Sequence, residues 1–146
     1  MKITHILHPT DFSEGSEAAM DYVHTLAKQY NAQVTMMFVV DELDKAKGWY
    51  VPHTSLNEFY KEMEENAKKK LEHCCYESLR DMPDVKRVIV KGTPDVEIAK
   101  YAEANGVDLI IMSTYHKSGM DNIFSSVTEK VLRRASCPVL VIKVKP

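Results

Sequence analysis

ITHILHPTDFSEGSEAAMDYVHTLAKQYNAQVTMMFVVDE, residues 3–42, is the stretch on which the fold turns. Ile3 to His8 is a short, mostly apolar run halted by Pro9, the pattern of a strand emptying into a loop. Ser13 is placed to cap a helix, with Glu14 and Glu17 near the positive end of its dipole. Behind it Val23, Leu26, Ala27 and Tyr30 recur at i, i+3, i+4 and i+7, an amphipathic helical stripe. Gln33 to Val40 (QVTMMFVV) is apolar and β-branched without alternation, as expected of a strand buried on both faces. Strand, helix and strand make a βαβ unit, and its crossover is right-handed.

Outward from this unit the pattern repeats. Asp41 to Ser55 mixes Gly48 and Pro52 with Trp49 and Tyr50 and reads as a long surface loop. From Leu56 to Leu79 the spacing predicts a helix, with Phe59, Met63, Ala67, Leu71, Cys74 or Cys75, and Leu79 on its apolar side. Glu64 with Lys68 and Glu65 with Lys69 are i,i+4 pairs in the favourable order. A strand over Arg87 to Val90 stops at Gly92-Thr93-Pro94, where Thr93 as N-cap and Pro94 at the first helical position open another helix, closed by Gly106. Asp108 to Met112 (DLIIM) reads as a buried strand. Ser113 to Ser125 reads as a loop feeding a helix with Val127, Val131 and Ala135 on one side, and Pro138 to Val144 (PVLVIKV) as the last strand. Five strands alternating with four helices predict an α/β fold, one doubly wound parallel sheet with helices on both faces.

Composition narrows the function. A chain of 146 residues corresponds to one domain, spanning 1–146. The 19 basic against 21 acidic residues give a net charge of −2, which argues against partners held by a strong positive field, nucleic acid or an anionic membrane. The apolar runs Met36 to Val40 and Leu109 to Met112 are far shorter than the ~18 residues of a membrane span. The opening run is too short, and too broken by His5 and His8, for a secretory signal. Three cysteines without a CxxC pair suit a reducing, cytoplasmic setting, and Cys74 and Cys75 read as packing residues. The six histidines form no i,i+4 pair, so no metal site is expected. No Walker loop, GxGxxG or G-x-S-x-G elbow occurs, so no enzyme is expected.

In an open α/β sheet ligands bind beyond the carboxyl ends of the strands, where strand order reverses. The informative segments are then Pro9 to Ser13, Val39 to Glu42, Lys91 to Pro94 and Ser113 to Ser126. Asp11 can accept from a ribose hydroxyl or an adenine amine; equally, it can cap the turn and the first helix.

Residues 3–42, together with VKGTPDVEIAKYAEANGVDLIIM and SSVTEKVLRRASCPVLVIK, resemble the universal stress protein family over all of the chain except Lys45 to Asn57. The resemblance implies strand order 3-2-1-4-5, an adenine nucleotide alpha-hydrolase-like fold, homodimers through the C-terminal strand, and a role in stress survival. It also implies an adenine-nucleotide site for AMP, ADP or ATP. Pro9, Thr10, Asp11, Val39 and Met112 match positions that hold base and ribose, Val39 through its main chain and Met112 by packing on the ring. ATP-binding members carry G-x2-G-x9-G-[S/T] after the fourth strand. Here Ser113, His116 and Ser125 stand at the glycine positions, the spacer is one residue short, and Ser126, followed by Val127, matches the hydroxyl. Lys117 offers a cationic substitute for the lost glycine contacts. Two readings follow: a nucleotide-sensing dimer with a degenerate phosphate loop, or a nucleotide-independent dimeric interaction protein acting through its surface and the Asp41–Ser55 loop.

Overall fold

The computed structural model describes residues 1–41, 53–73, 76–82, 84–114 and 126–144, with side chains at all of these except 53–56, 76 and 126. The strands are β1 (His5–Pro9), β2 (Gln33–Asp41), β3 (Val85–Gly92), β4 (Leu109–Ser113) and β5 (Val139–Ile142). They form one parallel sheet in the order β3-β2-β1-β4-β5. The helices are α1 (Glu14–Tyr30), α2 (His53–His73), α3 (Tyr76–Leu79), α4 (Pro94–Ala104) and α5 (Ser126–Arg134).

Alternation along the strands divides the core. Ile6, Val34, Met36 and Ile111 face one side with Ala19, Met20, Val23 and Ala27 of α1, Leu71 of α2 and Leu79 of α3. Leu7, Met37, Ile110 and Met112 face the other with Ile98 and Ala102 of α4 and Val131 of α5. Both faces of the central strands are therefore apolar, which is why QVTMMFVV shows no alternation. On the first face His24 Nε2 bonds Asp81 Oδ1 at 2.9 Å and Lys28 pairs with Asp81 Oδ2. These bonds hold the Asp81 carboxyl at about 2.

Several local expectations are corrected. The helix expected from Leu56 begins at His53, so Asp41 and residues 53–55 of the expected surface loop belong to β2 and α2; the rest of it, residues 42–52, lies outside the described residues. The helix expected to run to Leu79 is divided into α2 and α3, with Cys74 and Cys75 outside the described residues. Phe59, read as core, is 52% exposed, and Tyr60 is buried instead, because Tyr60 is in phase with Ala67 and Leu71 on the inner stripe. Tyr30 likewise ends the α1 stripe half in solvent. Thr93 makes no side-chain cap bond, and α4 closes on Asn105 one residue ahead of Gly106, whose φ is +60°. β3 extends to Val85–Gly92, because Lys86 and Arg87 are accommodated on an exposed edge strand. β5 is shorter than expected, Val139–Ile142.

Candidate functional site

β1 lies between β2 and β4, and the chain leaves it toward opposite faces on the two sides, so the crevice beyond its carboxyl end is the switch point. Pro9 pairs with Met37, the last rung between β1 and β2, and Thr10 N–H donates to Met37 O at 2.9 Å. Main-chain groups alternate sides along a strand, so the N–H and C=O of Val39 point the same way as those of Met37. A further rung would bring Phe12 N–H to Val39 O. Phe12 N–H instead turns back onto Thr10 Oγ1 at 3.1 Å, and its φ is +61°. For a bulky residue this conformation costs roughly 1–3 kcal/mol. The ladder ends there, and among the described residues β1 offers no partner to the donor and acceptor of Val39, a residue that lines the crevice.

Asp11 sits on the rim. Its Oδ1 accepts from Ser13 N–H at 3.0 Å and from the Ser16 hydroxyl at 2.8 Å, while Ser13 Oγ caps α1 by accepting from Ser16 N–H at 3.2 Å. Both readings of Asp11 thus have a physical basis. One oxygen holds the turn; among the described residues the other, Oδ2, accepts no hydrogen bond. Burial pushes this carboxyl up, but the bonds from Ser13 and Ser16 outweigh it and hold the group below the ordinary carboxylate range.

These elements enclose a cavity of about 280 Å³, close to the lower end for small-ligand sites, about 300 Å³. Pro9, Met37, Val39, Ile98, Met112 and Val127 supply apolar wall; Thr10, Ser16, Ser113 and Thr128 supply hydroxyls, and Asp11 the only carboxylate among the described lining residues. Thr128 is buried and donates its hydroxyl to Ser113 O at 3.1 Å, joining α5 to the end of β4. Arg134 Nε donates to the buried Asp95 Oδ2 at 2.6 Å and ties α5 to α4, whose Pro94 and Ile98 form the opposite wall. An apolar slot with one main-chain donor–acceptor edge and a carboxylate at its mouth suits a flat heteroaromatic ring carrying a hydroxylated substituent.

Of the residues singled out in the sequence, Pro9, Thr10, Asp11, Val39, Met112, Ser113 and Val127 line this one cavity. Ser126 opens α5, its side chain outside the described residues, where His116, Lys117 and Ser125 also lie. Sequence reasoning missed Ser16, Met37, Phe38, Ile98 and Thr128. Ser16 had a signal, since it stands three residues past the cap Ser13; Ile98 and Thr128 depend on helix packing. Gly92, with φ +153°, lies beneath the Glu97 side chain: a Cβ there would come 2.7 Å from Glu97 Cγ.

Behind the rim, His8 is fully buried, and its Nδ1–H donates to Ile111 O at 2.9 Å, while Nε2 has no partner among the described residues. Burial pushes its pKa down. Among the described residues no three His, Cys, Asp or Glu side chains converge as metal ligands would, and no helix is long and apolar enough to cross a membrane.

Topology and crevice together define a doubly wound α/β protein with a cavity of small-ligand size at its switch point. The chain belongs to the universal stress protein family, whose model matches residues 2–143. Universal stress protein MJ0577 of Methanocaldococcus jannaschii is 38% identical over 154 aligned positions, covering 96% of this chain and 94% of that protein. The solved structure of MJ0577 superimposes with a TM-score of 0.87 at 36% identity, over 100% of this chain and 99% of that one. The fold is shared with the Archaeoglobus fulgidus universal stress protein in complex with dAMP, at TM-score 0.65 and 18% identity over 98% of this chain and 100% of that one. It is shared also with a universal stress protein in complex with cAMP, at TM-score 0.60 and 20% identity over 97% and 98% of the two chains.

Proposed function

We propose that this chain is a cytoplasmic stress-response module of one domain that binds an adenine nucleotide and works as a homodimer, by binding and not by catalysis. The observation that carries the reading is the open edge of Val39, an N–H donor beside a C=O acceptor past the last β1–β2 rung at Pro9 and Met37. Adenine presents the complement, N1 as acceptor and the 6-amino group as donor. Met112, buried at the cavity wall, supplies a polarisable surface for the ring face. Asp11 Oδ2 accepts from a ribose hydroxyl. The dAMP and cAMP complexes of the two fold relatives support a nucleotide of this class.

The phosphates are held less specifically, because Ser113, His116 and Ser125 replace the glycines whose backbone N–H groups approach phosphate oxygens in ATP-binding relatives. ATP therefore binds no better than AMP. Calorimetric titration of nucleotide-free protein with AMP and ATP tests this, with Asp11→Ala as control. The reading predicts similar affinities for the two ligands and at least a tenfold loss in the variant, about 1.4 kcal/mol. Heat absent from both titrations leaves the nucleotide-independent dimer as the function.

The dimer reading rests on β5, which ends the sheet among the described residues, with Val139, Leu140 and Val141 only partly buried along its edge. Such an edge pairs with another chain, and two-fold self-pairing closes the assembly. Val141→Asp, on the partly exposed part of this strand, gives a folded monomer by light scattering and circular dichroism; an unchanged dimer mass contradicts it.

A further inference from the structure

We infer that Phe12 is a positioning residue of the cavity: its left-handed backbone, locked by its ring, aims Asp11 at the site and keeps the main-chain edge of Val39 open. The inference deepens the nucleotide-binding reading and rests on it for the ligand, though not for the geometry of Asp11.

Two non-glycine residues among those described have positive φ, Phe12 at +61° and Asn31 at +52°. Asn31 is the C-cap of α1, an ordinary place for asparagine in this conformation. Phe12 has no such explanation from its own preferences, so the surroundings must impose the backbone. They do so through the ring, which lies 4.9 Å from that of Phe38 and 5.5 Å beneath Lys70 Nζ of α2. Phe38 immediately precedes Val39, so the ring is anchored to the strand that carries the recognition edge.

Two hydrogen bonds depend on this turn. Asp11 Oδ1 reaches Ser13 N–H across Phe12 at 3.0 Å, and Phe12 N–H reaches Thr10 Oγ1 at 3.1 Å. With an extended Phe12 the parallel ladder would continue, Phe12 N–H would fall opposite Val39 O, and the edge would close. Asp11 would also lose its tie to Ser13, one of the bonds that hold its carboxyl low. Glycine adopts the left-handed turn without strain yet brings no ring to hold it there. Phe12 therefore exchanges local comfort for a fixed direction of the preceding carboxylate.

The test compares Phe12→Gly and Phe12→Tyr with the parent, by NMR titration of the Asp11 carboxyl carbon, AMP calorimetry and thermal melting. Phe12→Gly should raise the Asp11 pKa toward the ordinary carboxylate value and weaken AMP at least tenfold. Phe12→Tyr, which keeps the ring, should stay within threefold of the parent on AMP and leave Asp11 unshifted. Unchanged Asp11 and AMP values in Phe12→Gly overturn the inference, as does an equal loss in both variants. If Phe12→Gly does not fold, Phe38→Leu, which removes the stack and leaves the turn sequence intact, must raise the Asp11 pKa; an unshifted Asp11 there overturns the inference. An Asp11 shift in Phe12→Gly, with no AMP binding by any protein including the parent, refutes the nucleotide reading and upholds Phe12 as the residue that positions Asp11.

Discussion

At the amino end of β1, Thr4 and His5 donate their backbone N–H groups to Asp108 Oδ2 at 2.7 and 3.0 Å, and the Thr4 hydroxyl adds a third bond at 2.8 Å. The His5 ring spans Thr35 Oγ1 at 2.8 Å and Asn105 O at 3.2 Å, so both its nitrogens are used. At the carboxyl end the same residue types recur in a different setting. Among the described residues His8 has one nitrogen on Ile111 O and no partner for the other, and Asp11 has one oxygen in the turn and lines the cavity. Asp108, whose Oδ2 takes three bonds from the strand starts, is a structural clamp. Asp11, held likewise through one oxygen but lining the cavity, is placed to meet a ligand. Neither residue type nor the number of bonded oxygens separates the two aspartates; place does, Asp108 at the strand starts and Asp11 at the cavity.

Asp108→Ala should break the clamp with the largest effect on stability. It removes three bonds to a carboxylate at a partly exposed site, so a loss of roughly 2–3 kcal/mol is expected in denaturant unfolding, with AMP affinity unchanged. A change in AMP affinity larger than threefold would show that the two ends are coupled.

His8 sharpens the comparison through pH. Its pKa in the folded state lies below the ordinary value of 6.5, because burial disfavours the imidazolium. Between the folded pKa and 6.5 the unfolded chain binds the proton and the folded chain does not, so stability falls as pH drops below about 6.5 and is retained above it. The slope contributed by one such group is at most about 1.4 kcal/mol per pH unit. Asn at this position keeps a donor for Ile111 O, so His8→Asn should flatten the dependence between pH 6.5 and 5 in denaturant unfolding; an unaltered slope would assign the acid sensitivity elsewhere.

Asp11→Ala is the mirror of Asp108→Ala. Loss of the turn bonds should lower stability by roughly 1 kcal/mol, less than at Asp108, while AMP affinity falls at least tenfold. The smallest effect is expected for Lys70→Met, which removes the cation above Phe12 at the cost of about 0.5 kcal/mol in thermal melts, with no change at the Asp108 end.

Much of this architecture was legible in the sequence, for physical reasons. QVTMMFVV and DLIIM are continuous apolar runs because both faces of β2 and β4 are covered, and Pro9 and the Gly92-Thr93-Pro94 run punctuate strand ends where the chain must turn. The loops that follow parallel strands converge by topology, so Pro9, Thr10, Asp11, Val39, Met112, Ser113 and Val127 could be grouped before any coordinates. What depends on helix phase and packing was not legible. Adjacent Phe59 and Tyr60 compete for one inner position, and the 3.6-residue period does not choose between neighbours over a short run. Ile98 and Thr128 enter the cavity through the packing of α4 and α5. The positive φ of Phe12 carries no sequence signal, since the residue usually found in that conformation is glycine.

The account turns on the open edge of Val39, and base discrimination measures that edge most directly. Guanine presents a donor at N1 and an acceptor at O6, the reverse of adenine, so it meets Val39 N–H and C=O with like facing like. Titration of nucleotide-free protein with AMP and with GMP under identical conditions should give AMP at least tenfold tighter, about 1.4 kcal/mol. Equal affinities, or tighter GMP, would contradict recognition of the base by the main chain of Val39.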